Sequence, residues 1–301
     1  MVRELLTVWM GGVIFTIMAI RKDELRDQWA VVTGASSGLG RDFALQLAGL
    51  GMHVVVAARR ADRLEELKRE IEGRFGARVL PVQADLAGDD GAERLYQAVA
   101  AEAVEPLVLV NNAGFGAWGP FLGIPWEKER SMLELDIVSL VYLTRRFAAD
   151  MVARGRGYIL QVSSIGAYQS APTYASYAAA KSFVLHHGEA IGYELRGTGV
   201  SVTVLSPGVT ATDFLAVAGQ QPTAYQRLAM MESERVVRVG IRAMLRRRMS
   251  VVPGFLNAFT VWLNRLLPRR LIVRIAEASM RQPGSRRAAA NDVTLGSPTA
   301  R

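Results

Sequence analysis

Short, continuous apolar runs alternate with longer charged runs over most of the chain. Apolar runs of this kind are typical of strands that are buried on both faces of a sheet, and the charged runs have the length of amphipathic helices. Strands that alternate with helices form a parallel sheet covered by helices on both faces. The pattern therefore predicts a doubly wound α/β fold. The predicted strands are 29–33, 53–58, 79–82, 107–111, 158–162 and 200–206, and the predicted helices are 39–50, 62–72, 89–100, 127–154 and 173–196.

A separate apolar segment near the N-terminus, residues 5–20, contains no charged side chain. A helix of that length reaches about 24 Å, which is a little short of the roughly 30 Å hydrocarbon core of a bilayer. We predict that residues 1–26 hold a hydrophobic helix that either spans a membrane or lies in its interface, although it could instead pack on the domain or on a neighbouring subunit. The adjacent Arg21 and Lys22 predict that the rest of the chain lies on the cytoplasmic side.

Charge divides the chain into a mildly acidic body and a strongly basic end. Residues 1–234 hold 22 Lys and Arg against 26 Asp and Glu, whereas residues 235–301 hold 14 Arg against 2 acidic side chains. A basic end favours an anionic surface such as lipid headgroups or nucleic acid, or it is simply solvated. Its arginines are interleaved with Leu, Ile and Trp262, so we predict no nucleic-acid partner. Residues 254–282 are predicted to form amphipathic helices that either lie on a membrane or cover a hydrophobic channel, and residues 283–301 to be disordered.

Side chains that bind metal ions or form disulfide bonds are scarce. The chain has no cysteine, which excludes disulfide bonds, thiolate metal sites and cysteine nucleophiles. The three histidines, His53, His186 and His187, show no metal-ligand spacing with carboxylates. We therefore predict no metal site.

A glycine-rich loop lies between the first strand of the predicted sheet and its helix, with the sequence Thr33-Gly34-Ala35-Ser36-Ser37-Gly38-Leu39-Gly40. Glycines at such a place allow a tight turn and close approach of the backbone to a ligand. The N-terminus of the following helix then offers N–H groups to a pyrophosphate. The position of the loop in an alternating chain predicts a nucleotide site in a Rossmann fold.

The end of the second strand indicates which nucleotide is bound. A carboxylate at this place would accept a hydrogen bond from the 2′-hydroxyl of NAD. The sequence instead reads Val56-Ala57-Ala58-Arg59-Arg60, and a guanidinium binds a 2′-phosphate through charge-assisted hydrogen bonds. Arg59 therefore predicts NADP(H), unless the two arginines only begin an exposed basic loop.

A serine, a tyrosine and a lysine with a regular spacing point to redox chemistry. Ser164 is followed thirteen residues later by Tyr177, and four residues after that by Lys181. Residues four apart share one face of a helix, so we expect the Lys181 ammonium to lower the pKa of the Tyr177 phenol. The phenol would then donate and accept protons near neutral pH. Ser163 is the neighbouring alternative to Ser164, but alternation along the strand end turns it to the other face.

Taken in order, these motifs resemble those of the short-chain dehydrogenase/reductase family over residues 27–253. The matches are T-G-x-x-x-G-x-G at 33–40, Asp85-Leu86 after the third strand, N-N-A-G at 111–114, the spacing of Ser164, Tyr177 and Lys181, and P-G-x-x-x-T at 207–212. More narrowly, the chain is similar to membrane-associated bacterial reductases related to ketoacyl and hydroxysteroid enzymes. The resemblance implies hydride transfer between NADP(H) and a carbonyl or secondary alcohol, by a homodimer or homotetramer.

The resemblance also implies a role for each matching residue. Tyr177 would protonate the carbonyl oxygen, Lys181 would hold the nicotinamide ribose, and Ser164 would donate a hydrogen bond to the substrate oxygen. The implied cofactor-binding residues are Gly34, Ser36, Ser37, Gly38, Leu39, Gly40, Arg59, Asp85, Leu86, Asn112, Ala113, Gly114, Tyr177, Lys181, Pro207, Gly208 and Thr212.

One position departs from the family pattern. The family's fourth catalytic residue is an asparagine eight positions before a threonine, and counting back from Thr144 leads to Asp136. In the family this residue holds a water molecule that is linked to the lysine. A buried carboxylate is costly unless it is protonated or paired. We therefore expect the protein to remain catalytically active with Asp136 in place of the asparagine, but with an altered pH dependence.

The substrate is the property that the sequence determines least. Residues 214–248 occupy the place of the family's variable substrate lid, and they are rich in Ala, Val, Met and Arg. This composition favours a lipophilic carbonyl or alcohol, such as an acyl chain or a steroid-like ring, or else ordinary helical packing. The competing function is a non-catalytic NADP-binding sensor or membrane scaffold, for which Asp136 is the single hint.

Overall fold

Seven parallel strands form the sheet at the centre of the described structure. The computed structural model describes residues 9–10, 13–14, 24–212, 214–221 and 223–280. A separate antiparallel pair near the N-terminus consists of β1 (Trp9–Met10) and β2 (Val13–Ile14). The central strands are β3 (Trp29–Thr33), β4 (His53–Ala58), β5 (Val79–Gln83), β6 (Pro106–Asn111), β7 (Gly157–Val162), β8 (Val200–Leu205) and β9 (Ser250–Val251).

Helices cover both faces of this sheet. A π-helical turn at Glu134–Ser139 joins two of them end to end, and short 3₁₀ turns lie at Phe121–Gly123 and Ile165–Tyr168. The α-helices are α1 (Gly38–Gly49), α2 (Ala61–Phe75), α3 (Gly91–Ala101), α4 (Trp126–Leu133), α5 (Leu140–Ala153), α6 (Ala175–Glu194), α7 (Phe214–Ala218), α8 (Ala224–Ala229), α9 (Ser233–Leu245), α10 (Phe255–Leu263) and α11 (Arg269–Met280).

Alternation along the strands divides the core into two layers. In β3, Val32 belongs to the layer that contains residues of α1, α2 and α9, whereas Val31 belongs to the layer that contains residues of α3 and α5. Successive side chains of a strand point to opposite faces, so each central strand supplies apolar residues to both layers. This is why the strands read as continuous apolar runs, and the doubly wound Rossmann-like fold is confirmed.

The strand order is β5-β4-β3-β6-β7-β8-β9, so β3, the first of these strands in the sequence, lies in the interior of the sheet. The chain extends from β3 to one side through β4 and β5, and then crosses to β6 and continues on the other side. In open parallel sheets, ligands bind outside the carboxyl ends of the strands at such a switch point. The loops that follow β3 and β6 therefore border the expected binding crevice.

The predicted elements agree with the structure along the central sheet, with two differences. The limits of each of the six predicted strands differ from the observed ones by at most one residue. The predicted helix at 127–154 is divided into α4 and α5 by the π-helical turn. β9 has no counterpart among the predicted elements, because a two-residue strand is too short to show a periodic pattern.

The hydrophobic helix expected at the N-terminus is wrong for the residues that can be compared. Trp9 lies opposite Ile14 in an antiparallel pair, so residues 9–10 and 13–14 are extended. The intervening sequence is Gly11-Gly12. Glycine costs about 1 kcal/mol in a helix interior, which disfavours a helix through this sequence. The rest of residues 1–23 lies outside the described residues.

Within the part of the chain that the structure describes, no helix combines the length and the apolar character needed to cross a bilayer.

Residues 214–248, the region expected to form a substrate lid, pack in two different clusters. α9 supplies Val236, Val237 and Ile241 to the core layer beside α1, so one face of this helix is part of the core. α7 instead contributes Ala218 to a separate small cluster with Tyr174 and Ala178. Further on, α10 and α11 lie where amphipathic helices were predicted at 254–282, whereas residues 283–301 fall outside the described residues.

The turn between α6 and β8 contains two glycines with positive φ angles, and only one of them is packed against the backbone of another segment. A Cβ atom on Gly199 would lie 1.8 Å from the Gly155 carbonyl oxygen, and the Gly199 φ angle is 84°. Gly197 has a φ of 81° but no atom within 4 Å of its Cβ position. We expect Gly199→Ala to lower the free energy of unfolding by at least about 2 kcal/mol. The matched control Gly197→Ala should cost only about 1 kcal/mol. Urea unfolding of both variants checks this, and equal losses would contradict it.

Candidate active site

Ser164, Tyr177 and Lys181 meet at the carboxyl edge of the sheet. Ser164 lies just past the end of β7, and Tyr177 and Lys181 are one turn apart in α6. The Lys181 Nζ atom is 5.7 Å from the centroid of the Tyr177 ring, and Ser164 lies close enough to the Tyr177 phenol to lower its pKa. The structure thus brings together the three side chains that the sequence singled out.

The two neighbouring serines have different partners. Ser163 is buried and donates a 2.7 Å hydrogen bond to the backbone carbonyl oxygen of Lys181. Ser164 Oγ accepts a 3.1 Å hydrogen bond from the Gly166 N–H at the start of the 3₁₀ turn. Ser163 therefore attaches β7 to α6, and Ser164 faces the tyrosine, as strand alternation predicts.

Lys181 forms a buried ion pair with Asp136. The Lys181 Nζ atom lies 3.4 Å from Asp136 Oδ2, and the two side chains are 5% and 0% exposed. Nζ also donates a 3.3 Å hydrogen bond to the Val162 carbonyl oxygen at the end of β7. The position singled out as a departure from the family pattern is therefore in direct contact with the lysine.

The π-helical turn that carries Asp136 lies between α4 and α5. Such turns are rare and often occur at functional sites. Ser139, at the end of this turn, donates a hydrogen bond to the Leu86 carbonyl oxygen beyond β5. Burial raises the pKa of Asp136, while the Lys181 ammonium and the backbone N–H of Phe115 oppose that rise. The carboxylate therefore depends on Lys181 for its charge.

The pKa of Tyr177 is raised, which is opposite to the expected direction. Burial of the phenol is the largest cause, the Asp136 carboxylate adds to it, and the hydrogen bond with Ser164 partly opposes it. The expected lowering of the Tyr177 pKa is wrong for these side chains, because burial favours the neutral phenol and the Asp136 charge acts in the same direction. Tyr177 is therefore protonated at neutral pH.

Gly114 is in contact with the ion pair. A Cβ atom at this position would lie 2.5 Å from Asp136 Oδ1 and 3.0 Å from Lys181 Nζ. The preceding Asn112 donates through Nδ2 to the Thr33 carbonyl oxygen at 2.9 Å, and Ala113 N donates to Thr33 Oγ1 at 3.0 Å. The N-N-A-G segment thus joins the ends of β3 and β6 and leaves room for the charged pair.

The glycine loop is closely packed at the N-terminus of α1. A Cβ atom on Gly40 would lie 2.2 Å from the Gly34 carbonyl oxygen. Gly38 has a φ of 53°, and its Cβ position is 3.0 Å from Thr212 Cγ2. Ser37 precedes the helix, and its side chain forms no capping hydrogen bond. The loop therefore leaves the first N–H groups of α1 available to an anionic ligand.

Two arginines flank this loop at the end of β4. The Arg60 guanidinium donates to Ser36 Oγ and Ser37 Oγ, both at 3.0 Å. Arg59 is exposed, and its carbonyl oxygen accepts a 3.1 Å hydrogen bond from Gln83 Nε2. Arg60 is therefore a further candidate for binding the cofactor, although the sequence motif pointed only to Arg59. The one indication in the sequence was that Arg60 directly follows Arg59.

The other implied cofactor-binding residues lie along the same edge of the sheet. Asp85 is exposed and accepts a hydrogen bond from the Ala87 N–H, whereas Leu86 is buried beside a small cavity lined in part by Ala113. The Pro207 carbonyl oxygen accepts a 2.9 Å hydrogen bond from the Ile165 N–H. Leu39 is partly buried against the core layer of α1. Gly208 packs tightly against Asn257 of α10.

An aromatic and apolar wall adjoins the tyrosine. The Phe214 and Tyr174 rings lie 5.4 Å and 5.6 Å from the Tyr177 ring, centroid to centroid. Trp118 and Met280 pack against the same small cluster, which includes Ala218 of α7. No sequence motif pointed to Trp118 or Met280, because they come from a loop and from the end of α11.

Comparison with known proteins identifies relatives with this combination of fold and motifs. A 7β-hydroxysteroid dehydrogenase from Collinsella aerofaciens is 30% identical over 237 residues, which cover 78% of this chain and 89% of that protein. A solved structure from a study of 7β-hydroxysteroid dehydrogenase stereoselectivity has a TM-score of 0.77 and 26% identity, and the match covers 84% of this chain and 98% of that one. L-sorbose reductase from Gluconobacter frateurii, solved with NADPH and L-sorbose, has a TM-score of 0.67 and 26% identity. This match covers 77% of this chain and 97% of the reductase chain.

The family assignment agrees with the geometry. The match to the short chain dehydrogenase family extends over residues 28–223, from the first central strand to the residue before α8. This range contains the glycine loop, Asp136 and the cluster of Ser164, Tyr177 and Lys181. The chain therefore belongs to the short chain dehydrogenase family.

Proposed function

We propose that the protein is an NADP(H)-dependent oxidoreductase that interconverts a ketone carbonyl and a secondary alcohol on a lipophilic molecule. The observation that carries this proposal is the convergence of Ser164, Tyr177 and Lys181 at the carboxyl edge of the sheet. This edge also holds the glycine loop at the N-terminus of α1. A proton donor and a nucleotide-binding loop at one edge are what carbonyl reduction requires.

The residues present fit a dinucleotide. The turn at Gly34, Gly38 and Gly40 has no space for side chains, and the uncapped start of α1 suits a pyrophosphate. Arg59 and Arg60 suit a 2′-phosphate, and Arg60 is already oriented by Ser36 and Ser37. The nicotinamide supplies or accepts the hydride when it is bound. The NADPH-bound L-sorbose reductase supports the same choice of cofactor.

Each polar side chain at the site then has a defined task. Tyr177, held protonated by burial and by the Asp136 charge, donates its proton to the carbonyl oxygen during reduction. Ser164 Oγ accepts from Gly166 N–H, which directs its own O–H toward the phenol and the substrate oxygen. Lys181 keeps Asp136 ionised and places a positive charge near the phenol.

A lipophilic substrate fits the surroundings of Tyr177. The wall beside the phenol consists of Trp118, Tyr174, Phe214, Ala218 and Met280. Apolar surface of this kind binds the body of a ligand, while a few polar groups orient its reactive end. The relative from Collinsella aerofaciens acts on a hydroxysteroid, which supports a ring system or an acyl chain of comparable character.

We also place the enzyme at the cytoplasmic face of a membrane, as a homodimer or homotetramer. The basic end of the chain, with 14 Arg in residues 235–301, supports an anionic surface as its partner. The sequence motifs support the domain limits 27–253 for the catalytic unit, within which α7 and α8 form the lid.

Replacement of the proton donor tests the proposal directly. Tyr177→Phe keeps the ring that packs on Phe214 and removes the hydroxyl, so we expect turnover with NADPH and a lipophilic ketone to fall at least about a hundredfold. Binding of NADPH, followed by its fluorescence, should be retained. Tyr174→Phe removes a hydroxyl from the adjacent ring and should keep turnover within a few-fold.

The two functions proposed from the sequence differ in this assay. Retained turnover in Tyr177→Phe would contradict the assigned role. Cofactor binding by the unaltered protein, without turnover on hydroxysteroid, ketoacyl or aromatic ketone substrates, would instead favour a non-catalytic sensor.

The charge of Asp136 is expected to set the alkaline limit of the reduction. Tyr177 donates only while it is protonated, and the Asp136 carboxylate raises its pKa. Asp136→Asn removes that charge, so the Tyr177 pKa falls and reduction should be lost at lower pH than in the unaltered enzyme. The pH profile of turnover measures this shift. Glu134→Gln, in the same π-helical turn, serves as the control. An unchanged alkaline limb in Asp136→Asn would remove the residue from the proposed mechanism.

The arginines at the end of β4 are expected to select NADP(H) over NAD(H). Arg59→Gln should raise the KM for NADPH about ten- to a hundredfold, because a charge-assisted contact to the 2′-phosphate is lost. The KM for NADH should not change. The control variant is Arg63→Gln. Arg63 is an exposed arginine in the first turn of α2 and pairs with Glu66 at 3.1 Å, so its replacement should change the KM for neither NADPH nor NADH. Equal effects of Arg59→Gln on the two cofactors would refute the assignment.

A further inference from the structure

Three aromatic rings form an exposed row on one face of α10. Phe255, Phe259 and Trp262 are 88%, 46% and 52% exposed. Their ring centroids are 6.3 Å apart between Phe255 and Phe259, and 5.8 Å apart between Phe259 and Trp262. We call these three side chains the aromatic row. Large apolar groups that are contiguous and exposed mark an interaction surface rather than ordinary surface variation.

The opposite face of α10 is held firmly against the body of the protein. Asn257 is buried and donates to the Pro253 carbonyl oxygen at 3.0 Å, and Val261 is buried beside it in the same helix face. Asn264 Nδ2 donates to Gln169 Oε1 at 2.8 Å, in the loop that follows Ser164. The aromatic row therefore faces outward because the other side of the helix is occupied.

Positive charge and further apolar groups continue from this row into α11. Residues 255–276 contain four arginines, Arg265, Arg269, Arg270 and Arg274, and no Asp or Glu. Leu266, Leu271 and Ile275 are 63%, 43% and 52% exposed. Exposed aromatic and aliphatic groups mixed with arginines are the composition of helices that lie in the headgroup region of an anionic bilayer.

We propose that α10 and α11 form a docking surface for anionic lipid, with the aromatic row entering the boundary between headgroups and acyl chains. The arginines from Arg265 to Arg274 bind the lipid phosphates. Charge complementarity selects this partner, because the surface combines apolar rings with exclusively positive charge over 255–276. Residues 255–280 carry four arginines and a single acidic residue, Glu277 near the end of α11, so the surface is poorly suited to a second copy of itself, since its own arginines would face each other.

The docking surface lies at the same edge of the sheet as the proposed active site. Asn257 of α10 packs against Gly208, and Gln169 beside Asn264 follows the 3₁₀ turn after Ser164. At the end of α11, Met280 packs in the cluster that contains Tyr177. A lipophilic molecule dissolved in the bilayer would therefore meet the site from the membrane side. This last step rests on the proposed function, whereas lipid docking does not.

Sedimentation of the full-length protein with lipid vesicles tests the docking surface. We expect binding to phosphatidylcholine vesicles that contain phosphatidylglycerol, and weak binding to pure phosphatidylcholine. The triple variant Phe255→Ser, Phe259→Ser and Trp262→Ser should bind the anionic vesicles at least about tenfold more weakly. The variant Arg265→Gln, Arg269→Gln and Arg270→Gln should bind them on the order of a hundredfold more weakly and lose most of the salt dependence.

A matched control is available on another helix. Tyr193 in α6 is 63% exposed, and the Arg196 guanidinium lies 3.6 Å from its ring centroid. Tyr193→Ser removes an equally exposed aromatic ring beside an arginine and should leave vesicle binding unchanged. Turnover of a water-soluble ketone by the aromatic-row variant should equal that of the unaltered protein. This comparison separates a failure of docking from a failure of the proposed chemistry.

Three outcomes would overturn the proposal. The first is unchanged vesicle binding by the aromatic-row variant. The second is an aromatic-row variant that still binds vesicles but has a smaller mass in light scattering than the unaltered protein. This result would assign the row to contact between copies of the chain. The third is vesicle binding that disappears on removal of residues 1–22 but survives in both surface variants, which would assign attachment to the N-terminal segment.

Discussion

The arrangement of the site depends on the buried ion pair between Lys181 and Asp136. Two charges in a protein interior are each costly to desolvate, and only close pairing with further polar contacts compensates for that cost. Here the Nζ atom lies 3.4 Å from the carboxylate and 3.3 Å from the Val162 carbonyl oxygen. These contacts join α6, the π-helical turn and the end of β7, and they require a glycine at position 114.

This pair also contributes, together with burial of the phenol, to the protonation of Tyr177. A lysine acting alone would favour the phenolate, but the neighbouring carboxylate offsets the lysine's charge, and burial favours the neutral phenol. A protonated phenol is suited to carbonyl reduction, because it gives its proton to the oxygen on which negative charge develops. The carboxylate at position 136 therefore links an unusual helical turn to the acid–base state of the site.

The outer parts of the molecule are organised around the same edge of the sheet. α7 and the end of α11 supply Phe214 and Met280 to the apolar wall beside Tyr177. α10 packs on the turn at Gly208 and turns its aromatic row away from the body. The proposed substrate site and the proposed lipid surface are thus neighbours, so that one group of helices would serve both binding and attachment.

Local patterns in the sequence determined the central sheet, the glycine loop and the spacing of Tyr177 and Lys181, because strand burial and helix periodicity act between residues close in the chain. The family pattern drew attention to Asp136. Only the tertiary structure decided that Asp136 contacts Lys181, that the Tyr177 pKa is raised, and that Trp118 and Met280 reach the site. Burial and electrostatic interactions are sums over groups far apart in sequence, and no local pattern contains them. For the same reason, the composition of 214–248 left a lid and ordinary helical packing both open, and only the tertiary structure showed that α9 packs in the core.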